Sequence, residues 1–162
     1  MHPLLLLKLL LLLMLANGAP IAVKDVLRRR LSYPVDGGVV LSDGRPLFGK
    51  SKTLRGISAS LAATSAGSVV LGLGWKIGMV ISAVAMAGDL CSSFLKRRLN
   101  VQPSGRATGL DQIPESLFPL LAVWSALSLS SWDIAVGVGL FFAGELLISI
   151  VFYRLHLRER PY

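Results

Sequence analysis

Long apolar runs alternate with short charged stretches along this chain of 162 residues. A membrane-spanning helix needs about 20 mainly apolar residues. About five segments approach that requirement, over approximately 4–23, 57–74, 75–95, 117–131 and 134–155. The second is rich in Ala, Ser and Gly, which suits close helix packing, and the fourth is short. The pattern predicts an all-α, polytopic membrane helix bundle with about five transmembrane helices, formed by residues 1–162 as a single domain.

The composition agrees with a membrane protein. The chain is 53% hydrophobic and 16% charged, whereas soluble domains carry about 25% charged residues. A net charge of +8 would indicate a nucleic-acid partner in a soluble protein. Here it fits basic cytoplasmic loops or an anionic substrate, so we expect the lipid bilayer as a partner and no nucleic acid. Cys91 is the single cysteine, which excludes an internal disulfide and a cysteine-based metal cluster.

The Lys and Arg residues predict the orientation in the membrane. They concentrate in three regions: the loop over about 24–56, the loop after the third apolar segment, and the C-terminal tail. With about five spans, all three regions lie on the same side of the membrane. The positive-inside rule makes that side cytoplasmic, with the N-terminus outside and the C-terminus cytoplasmic. The first apolar run could instead be a signal peptide, given the small residues over 16–19. The absence of Lys and Arg before Leu4 disfavours that alternative.

The first cytoplasmic loop ends in a segment rich in glycine and lysine. Gly44 to Ser51 matches the P-loop pattern G-x-x-x-x-G-K-[ST], in which backbone N–H groups bind phosphates. A loop of about 30 residues cannot form the βαβ sheet that this pattern requires, so we do not expect a P-loop fold. The residues still suit phosphate binding at a helix N-terminus. The candidates are Gly49, Lys50, Lys52, Arg55 and Gly56. The alternative is a solvated basic loop that only sets the topology.

Asp89 lies in the otherwise apolar third segment. On a helix it shares one face with Ser92, Ser93, Lys96 and Arg97. An ionisable residue within a span costs at least about 2.5 kcal/mol, so it usually has a functional partner. The alternative is an Asp89–Lys ion pair that only fixes packing.

Asp111 precedes the fourth segment, and the second cytoplasmic loop (about 96–115) returns it to the same face as Asp89. A carboxylate there could also simply favour a helix N-terminus. Two carboxylates with cations and hydroxyls are the groups needed for Mg²⁺-assisted phosphoryl or nucleotidyl transfer. His2 and His156 are terminal and far apart, so we expect neither a zinc site nor a Ser-His-Asp triad. For Glu145, within the fifth segment, we expect a structural role.

At these residues the sequence resembles the membrane CTP:lipid-phosphate cytidylyltransferases, in particular the archaeal CDP-archaeol synthases. The resemblance covers essentially the whole chain. It rests on Gly88-Asp89-Leu90 with Ser92, Ser93, Lys96 and Arg97, on Ser104-Gly105, on Asp111-Gln112-Ile113-Pro114-Glu115, and on the Gly/Lys-Thr/Arg-Gly element over 48–56. The bacterial phosphatidate enzymes have a glycine- and histidine-containing approach to the second Asp, followed by Arg. Here residues 107–110 and Gln112 differ, which favours the archaeal branch.

The resemblance implies transfer of CMP from CTP to an anionic isoprenoid ether lipid phosphate, with release of pyrophosphate. It implies that Asp89 and Asp111 bind Mg²⁺ as the cofactor. Cationic side chains would neutralise the phosphates, and hydroxyls would assist them. The cations are Lys50, Lys52, Arg55, Lys96 and Arg97; the hydroxyl partners are Thr53, Ser93 and Ser104, with Gly105 beside the last. The active site would then lie at the cytoplasmic face of the cell membrane.

Other functions remain open at this point. CDP-alcohol phosphotransferases need a denser Asp-rich motif than Gly88-Asp89 supplies. A CTP-dependent polyprenol kinase has closer chemistry and is poorly separated by sequence. A small transporter or membrane scaffold would explain the apolar segments and basic loops, but not the return of Asp89 and Asp111 to one face.

Overall fold

The computed structural model describes residues 2–28, 30–101 and 109–154, with side chains described as far as residue 150. Within these ranges the chain forms five α-helices and no strand, which confirms the predicted all-α bundle. The helices are α1 (Pro3–Leu27), α2 (Leu54–Val70), α3 (Trp75–Arg98), α4 (Gln112–Ala122) and α5 (Ser131–Arg154).

Three of these helices are long and apolar enough to cross a membrane, namely α1, α3 and the Ser131–Ile150 part of α5. Helix α2 has 17 residues, at the lower end of the spanning range. Helix α4 has 11 residues; it begins before the predicted segment and ends well inside it. Pro119 within α4 lacks an N–H donor, which weakens the helix near its end. The chain continues in turns in which Val123 and Leu129 are buried.

Helix α1 runs unbroken through Asn17, Gly18 and Pro20. The Asn17 side-chain amide donates to the Leu13 carbonyl oxygen at 3.1 Å, so this polar group has a partner within the helix. Leu9, Leu12 and Leu13 are fully buried in the core that α1 forms with α3, α4 and α5. Helix α1 is therefore an integral part of the bundle.

Glycines on α3 allow the neighbouring helices to approach closely. A Cβ atom on Gly78 would lie 2.5 Å from the Thr64 carbonyl oxygen of α2, and one on Gly88 would lie 2.6 Å from the Pro114 carbonyl oxygen of α4. Small residues at helix contacts are the usual means of close packing in membranes. Because Gly88 precedes Asp89, this contact brings Asp89 beside the first turn of α4.

The helices alternate in direction, so the long loops meet at one end of the bundle. At the opposite end, the His2 backbone N–H donates to the Asp133 carboxylate at 3.1 Å, which joins the starts of α1 and α5. The Asp133 carboxylate also accepts from the Ser130 backbone N–H and hydroxyl at 3.0 and 2.7 Å. We call the end that carries the 28–53 loop, the end of α3 and the start of α4 the loop end. Which membrane side it faces stays a prediction.

Candidate active site

Residues 33–53 fold into a hairpin-like loop at the loop end. The Val35 backbone N–H donates to the Lys52 carbonyl oxygen at 2.9 Å, and the Leu47 N–H donates to the Val39 carbonyl oxygen at 3.0 Å. The bridges are isolated and antiparallel. Nothing in the described ranges resembles the parallel sheet of a P-loop domain, so the P-loop pattern over 44–51 has a different role here.

Asp36 holds the glycine turn of this hairpin. Its Oδ2 accepts hydrogen bonds from the backbone N–H groups of Phe48 and Gly49 at 2.9 and 3.1 Å, and its Oδ1 accepts from Gly38 at 3.0 Å. Burial alone would raise the pKa of Asp36, but these N–H donors hold it below its ordinary value of 3.8. Donors that a P-loop would offer to phosphate are therefore bonded to Asp36. Asp36 was not predicted as a site residue; its only local sequence signal is an Asp before Gly37 and Gly38, which is typical of a turn.

Two arginines dock the hairpin on the end of α3. Arg45 Nη1 donates to the Arg98 carbonyl oxygen at 2.7 Å, and Arg98 Nη2 donates to the Pro46 carbonyl oxygen at 2.9 Å. Arg98 also forms an ion pair with Asp43 at 2.5 Å. The Arg45 bond satisfies a carbonyl that the end of α3 leaves without a helical partner. None of these three side chains was predicted as a site residue, and their role here is to fix the loop to the helix.

The docking brings Gly49 against Arg97, both of which were predicted phosphate ligands. A Cβ atom on Gly49 would lie 3.8 Å from Arg97 Nε, and the φ of 97° at Gly49 also favours glycine. Arg97 is only 8% exposed. Its Nη1 donates to the Val101 carbonyl oxygen, while its buried Nε has no hydrogen-bond partner among the described residues. A guanidinium with a buried unused donor is suited to a phosphate oxygen.

Both predicted aspartates are paired with lysines. Lys52 Nζ lies 2.5 Å from both carboxylate oxygens of Asp89, and Lys96 Nζ lies 2.8 Å from Asp111 Oδ1. The four side chains are 12–22% exposed. Lys96 follows Asp89 by about two helical turns, so the two ion pairs lie at different depths along α3. The structure thus joins the first loop to Asp89 and the second loop to Lys96.

Glu115 is a third acid beside Asp89. It is 8% exposed, and its carboxyl group is close enough to that of Asp89 for the two to interact electrostatically. Glu145 of α5 is close enough to act electrostatically on Glu115. The sequence motif contains Glu115, yet no role was predicted for it, because its burial follows from the Gly88–Pro114 contact and not from any local pattern.

The other predicted site residues occupy varied surroundings. Lys50 is exposed on the hairpin, whereas Arg55 donates to the Arg30 carbonyl oxygen. The Thr53 hydroxyl accepts from the Gly56 N–H at 3.3 Å and caps α2. A Cβ atom on Gly56 would lie 3.3 Å from Pro20. The phosphate-binding roles of these residues stay predictions.

The hydroxyls of α3 are buried. Ser93 is 2% exposed, and Ser92 Oγ donates to the Leu110 carbonyl oxygen at 2.7 Å, which ties the start of α4 to α3. Ser104 and Gly105 were predicted phosphate ligands and lie outside the described residues.

The predicted Mg²⁺ ligands are carboxylates, which are of the kind that this ion prefers. Within the described part of the chain, no group of three or more His, Cys, Asp or Glu side chains is arranged to hold a metal. Mg²⁺ needs no such group, since it commonly binds one or two carboxylates together with water and substrate phosphates. Asp111 Oδ1 is buried and has no partner with hydrogen-bond geometry, although Lys96 Nζ is close. Asp89 and Asp111 therefore offer oxygen donors of the required type.

Comparisons with known proteins give a consistent result. Residues 59–162 match the model of a family described as CarS-like: CDP-archaeol synthase. The CDP-archaeol synthase of Aeropyrum pernix is 38% identical over 160 aligned residues, which cover 92% of this chain and 86% of that protein. The CDP-archaeol synthase of Sulfurisphaera tokodaii is 32% identical, with 92% and 90% covered. A solved structure described as an intramembrane enzyme for archaeal membrane lipids biosynthesis superposes with a TM-score of 0.71 at 33% identity, over 86% of this chain and 91% of that one.

Proposed function

The chain belongs to the CDP-archaeol synthase family, and from that premise we propose that its loop-end site transfers CMP from CTP to a lipid phosphate. The acceptor is 2,3-bis-O-(geranylgeranyl)-sn-glycerol 1-phosphate, and the products are CDP-archaeol and pyrophosphate. The chain is an enzyme of archaeal-type membrane lipid synthesis, a CTP-dependent lipid cytidylyltransferase. The observation that carries the assignment to this site is the ion pair between Lys52 of the first loop and Asp89 of α3.

In this reaction an oxygen of the lipid phosphate attacks the α-phosphorus of CTP. The new P–O bond forms as the bond between the α-phosphorus and the α,β-bridging oxygen breaks, and pyrophosphate leaves with that electron pair. No covalent enzyme intermediate is needed, so catalysis consists of positioning and charge stabilisation. Lys52, Lys96 and Arg97 would neutralise the phosphates, and the buried setting of Arg97 would strengthen its interaction with an anion.

We propose that Asp89 and Asp111 hold Mg²⁺. When bound there, the ion would neutralise charge on the nucleotide phosphates. The two carboxylate–lysine pairs can exchange partners as substrates bind. Lys52 and Lys96 turn their ammonium groups to phosphate oxygens, and the aspartates keep their oxygens for a cation. The same pairs would also suit a purely structural role, which substitutions at Asp89 distinguish.

We further propose that the loop end faces the cytoplasm and that the N-terminus lies outside. The excess of Lys and Arg in the loops supports this orientation through the positive-inside rule. CTP then reaches the hairpin from water, whereas the lipid phosphate reaches α3 from within the bilayer, with its tails between the helices.

The test uses purified protein, lipid phosphate and Mg²⁺ with CTP labelled at either the α- or the γ-phosphate. Cytidylyl transfer places the α-label in the lipid and releases the γ-label as pyrophosphate. Transfer of the γ-label to lipid would identify a kinase instead. Label in neither product would favour a transporter or scaffold and contradict the proposed reaction.

A further inference from the structure

Asp36 belongs to no motif of the predicted site, yet it is bonded to the turn that carries the predicted phosphate ligands. Three backbone N–H groups converge on its carboxylate at 2.9–3.1 Å, two of them from Phe48 and Gly49. Asp36 is 9% exposed. We propose that Asp36 is a positioning residue for CTP, which holds the Gly49 turn against Arg97 and so places the cations that bind the triphosphate. This inference rests on the proposed function.

The hairpin's position favours the nucleotide over the lipid phosphate as its ligand. Residues 33–53 lie before α2 and outside the apolar helices, where a dissolved anion arrives first. The Gly49 turn meets the buried Nε of Arg97. Lys50 and Lys52 follow directly, so a shift of the turn would move both ammonium groups. The lipid phosphate approaches from the bilayer side of α3 and depends less on the turn.

The bonding pattern requires a carboxylate at position 36. Oδ1 and Oδ2 both accept from N–H donors. An Asn side chain has one acceptor oxygen and would turn its NH₂ group towards at least one of these donors. It would also lack the charge that strengthens such bonds. Burial would raise the pKa of Asp36, but the backbone N–H donors lower it below its ordinary value. This lowered pKa agrees with a side chain that accepts hydrogen bonds as a carboxylate.

The experiment compares Asp36→Asn with the wild type and with Asp25→Asn, a matched change at an exposed position near the end of α1. We measure CTP affinity by calorimetry without lipid substrate, and the KM values for both substrates with lipid present. Asp36→Asn should weaken CTP binding and raise the KM for CTP about tenfold, the scale of one charge-assisted hydrogen bond. The KM for lipid phosphate and kcat at saturating CTP should stay within about twofold. Asp25→Asn should match the wild type.

An unchanged KM for CTP in folded Asp36→Asn overturns the inference. Equal rises in the KM values for CTP and lipid phosphate together with a loss of kcat overturn it as well. If the variant does not fold, the inference is tested by backbone hydrogen exchange of the wild type with and without CTP. CTP should then slow exchange in the peptide over 45–53 and leave α5 unchanged, and no slowing overturns the inference. A wild type that binds CTP without transferring CMP refutes the proposed reaction instead. A wild type that transfers CMP while Asp36→Asn behaves identically refutes only the role of Asp36.

Discussion

Lys52 and Asp89 lie 37 positions apart in the sequence, and the Lys52 ammonium lies 2.5 Å from the Asp89 carboxylate. One belongs to a loop at the bundle's end and the other to a membrane helix. Both side chains are about four-fifths buried, so removing either one leaves a poorly solvated charge without its partner. This ion pair joins the basic residues of the first loop to the carboxylates of α3 and α4, so that together they form one composite site.

Glu115 should support Asp89, because the two carboxyl groups interact at close range and Glu115 is buried. Glu115→Gln keeps the side-chain size and provides an N–H donor to the Asp89 carboxylate, so we expect it to retain activity within about tenfold. Glu115→Ala leaves Asp89 without that partner and opens a cavity, so we expect a loss of about 100-fold or more. Steady-state CMP transfer measures both. Equal activity of the two variants would show that the contact has no role in the reaction.

Gly88 should be intolerant of a side chain. A Cβ atom there would lie 2.6 and 2.8 Å from the Pro114 carbonyl oxygen and carbon, so Gly88→Ala must push α4 from α3. We expect a destabilisation of about 1–3 kcal/mol and loss of most activity, because Asp89 and Glu115 separate. Gly139→Ala is the control, since nothing lies within 4 Å of its added methyl group. Unfolding in detergent, followed by tryptophan fluorescence, should leave that control unaffected; a wild-type-like Gly88→Ala would contradict the packing.

Asp36 should make stability depend on acid pH. Its pKa is lowered in the fold from an ordinary value of 3.8. The stabilisation is therefore complete above about that pH and is lost as the pH falls through the lower folded pKa. The difference in unfolding temperature between wild type and Asp36→Asn should be constant near neutral pH and shrink below pH 3.8. A difference that grows on acidification would contradict the assignment.

The orientation has a direct labelling test. Cys91, the single cysteine, is first replaced by Ser, and exposed Ser51 of the hairpin is then replaced by Cys. A membrane-impermeant maleimide should leave this cysteine unmodified in intact cells and modify it after the cells are opened. Modification in intact cells would place the loop end outside and overturn the cytoplasmic site.

Much of the fold could be predicted because membrane insertion leaves a strong mark on sequence. The apolar runs predicted the positions of α1, α3 and α5. Gly78 and Gly88 lie where α3 packs closely against its neighbours, as expected for small residues in membrane helices. The extent of α4 could not be read in this way. Its first turns carry the polar residues Gln112, Glu115 and Ser116, of which Glu115 and Ser116 are buried within the protein, so hydropathy placed its start too late.

The site was partly predictable for a similar reason. Asp89 was recognisable because a charge within an apolar segment is costly. Its partner Lys52 was one of several cations predicted in the loop. Only the folded hairpin shows that Lys52, rather than Lys50 or Arg55, pairs with Asp89. Asp36 was not predicted, since an Asp before two glycines indicates only a turn, and its distant partners are backbone N–H groups that carry no sequence signal.

The most direct measurement follows the α-phosphorus and pyrophosphate of CTP in one reaction, for the wild type, Asp89→Asn, Lys52→Gln and the control Asp25→Asn. For the wild type and the control, we predict one pyrophosphate released for each α-phosphorus incorporated into lipid. Both site variants should lose transfer by about 100-fold or more while remaining folded. Full transfer by Asp89→Asn, or lipid labelled without matching pyrophosphate, would contradict the composite site.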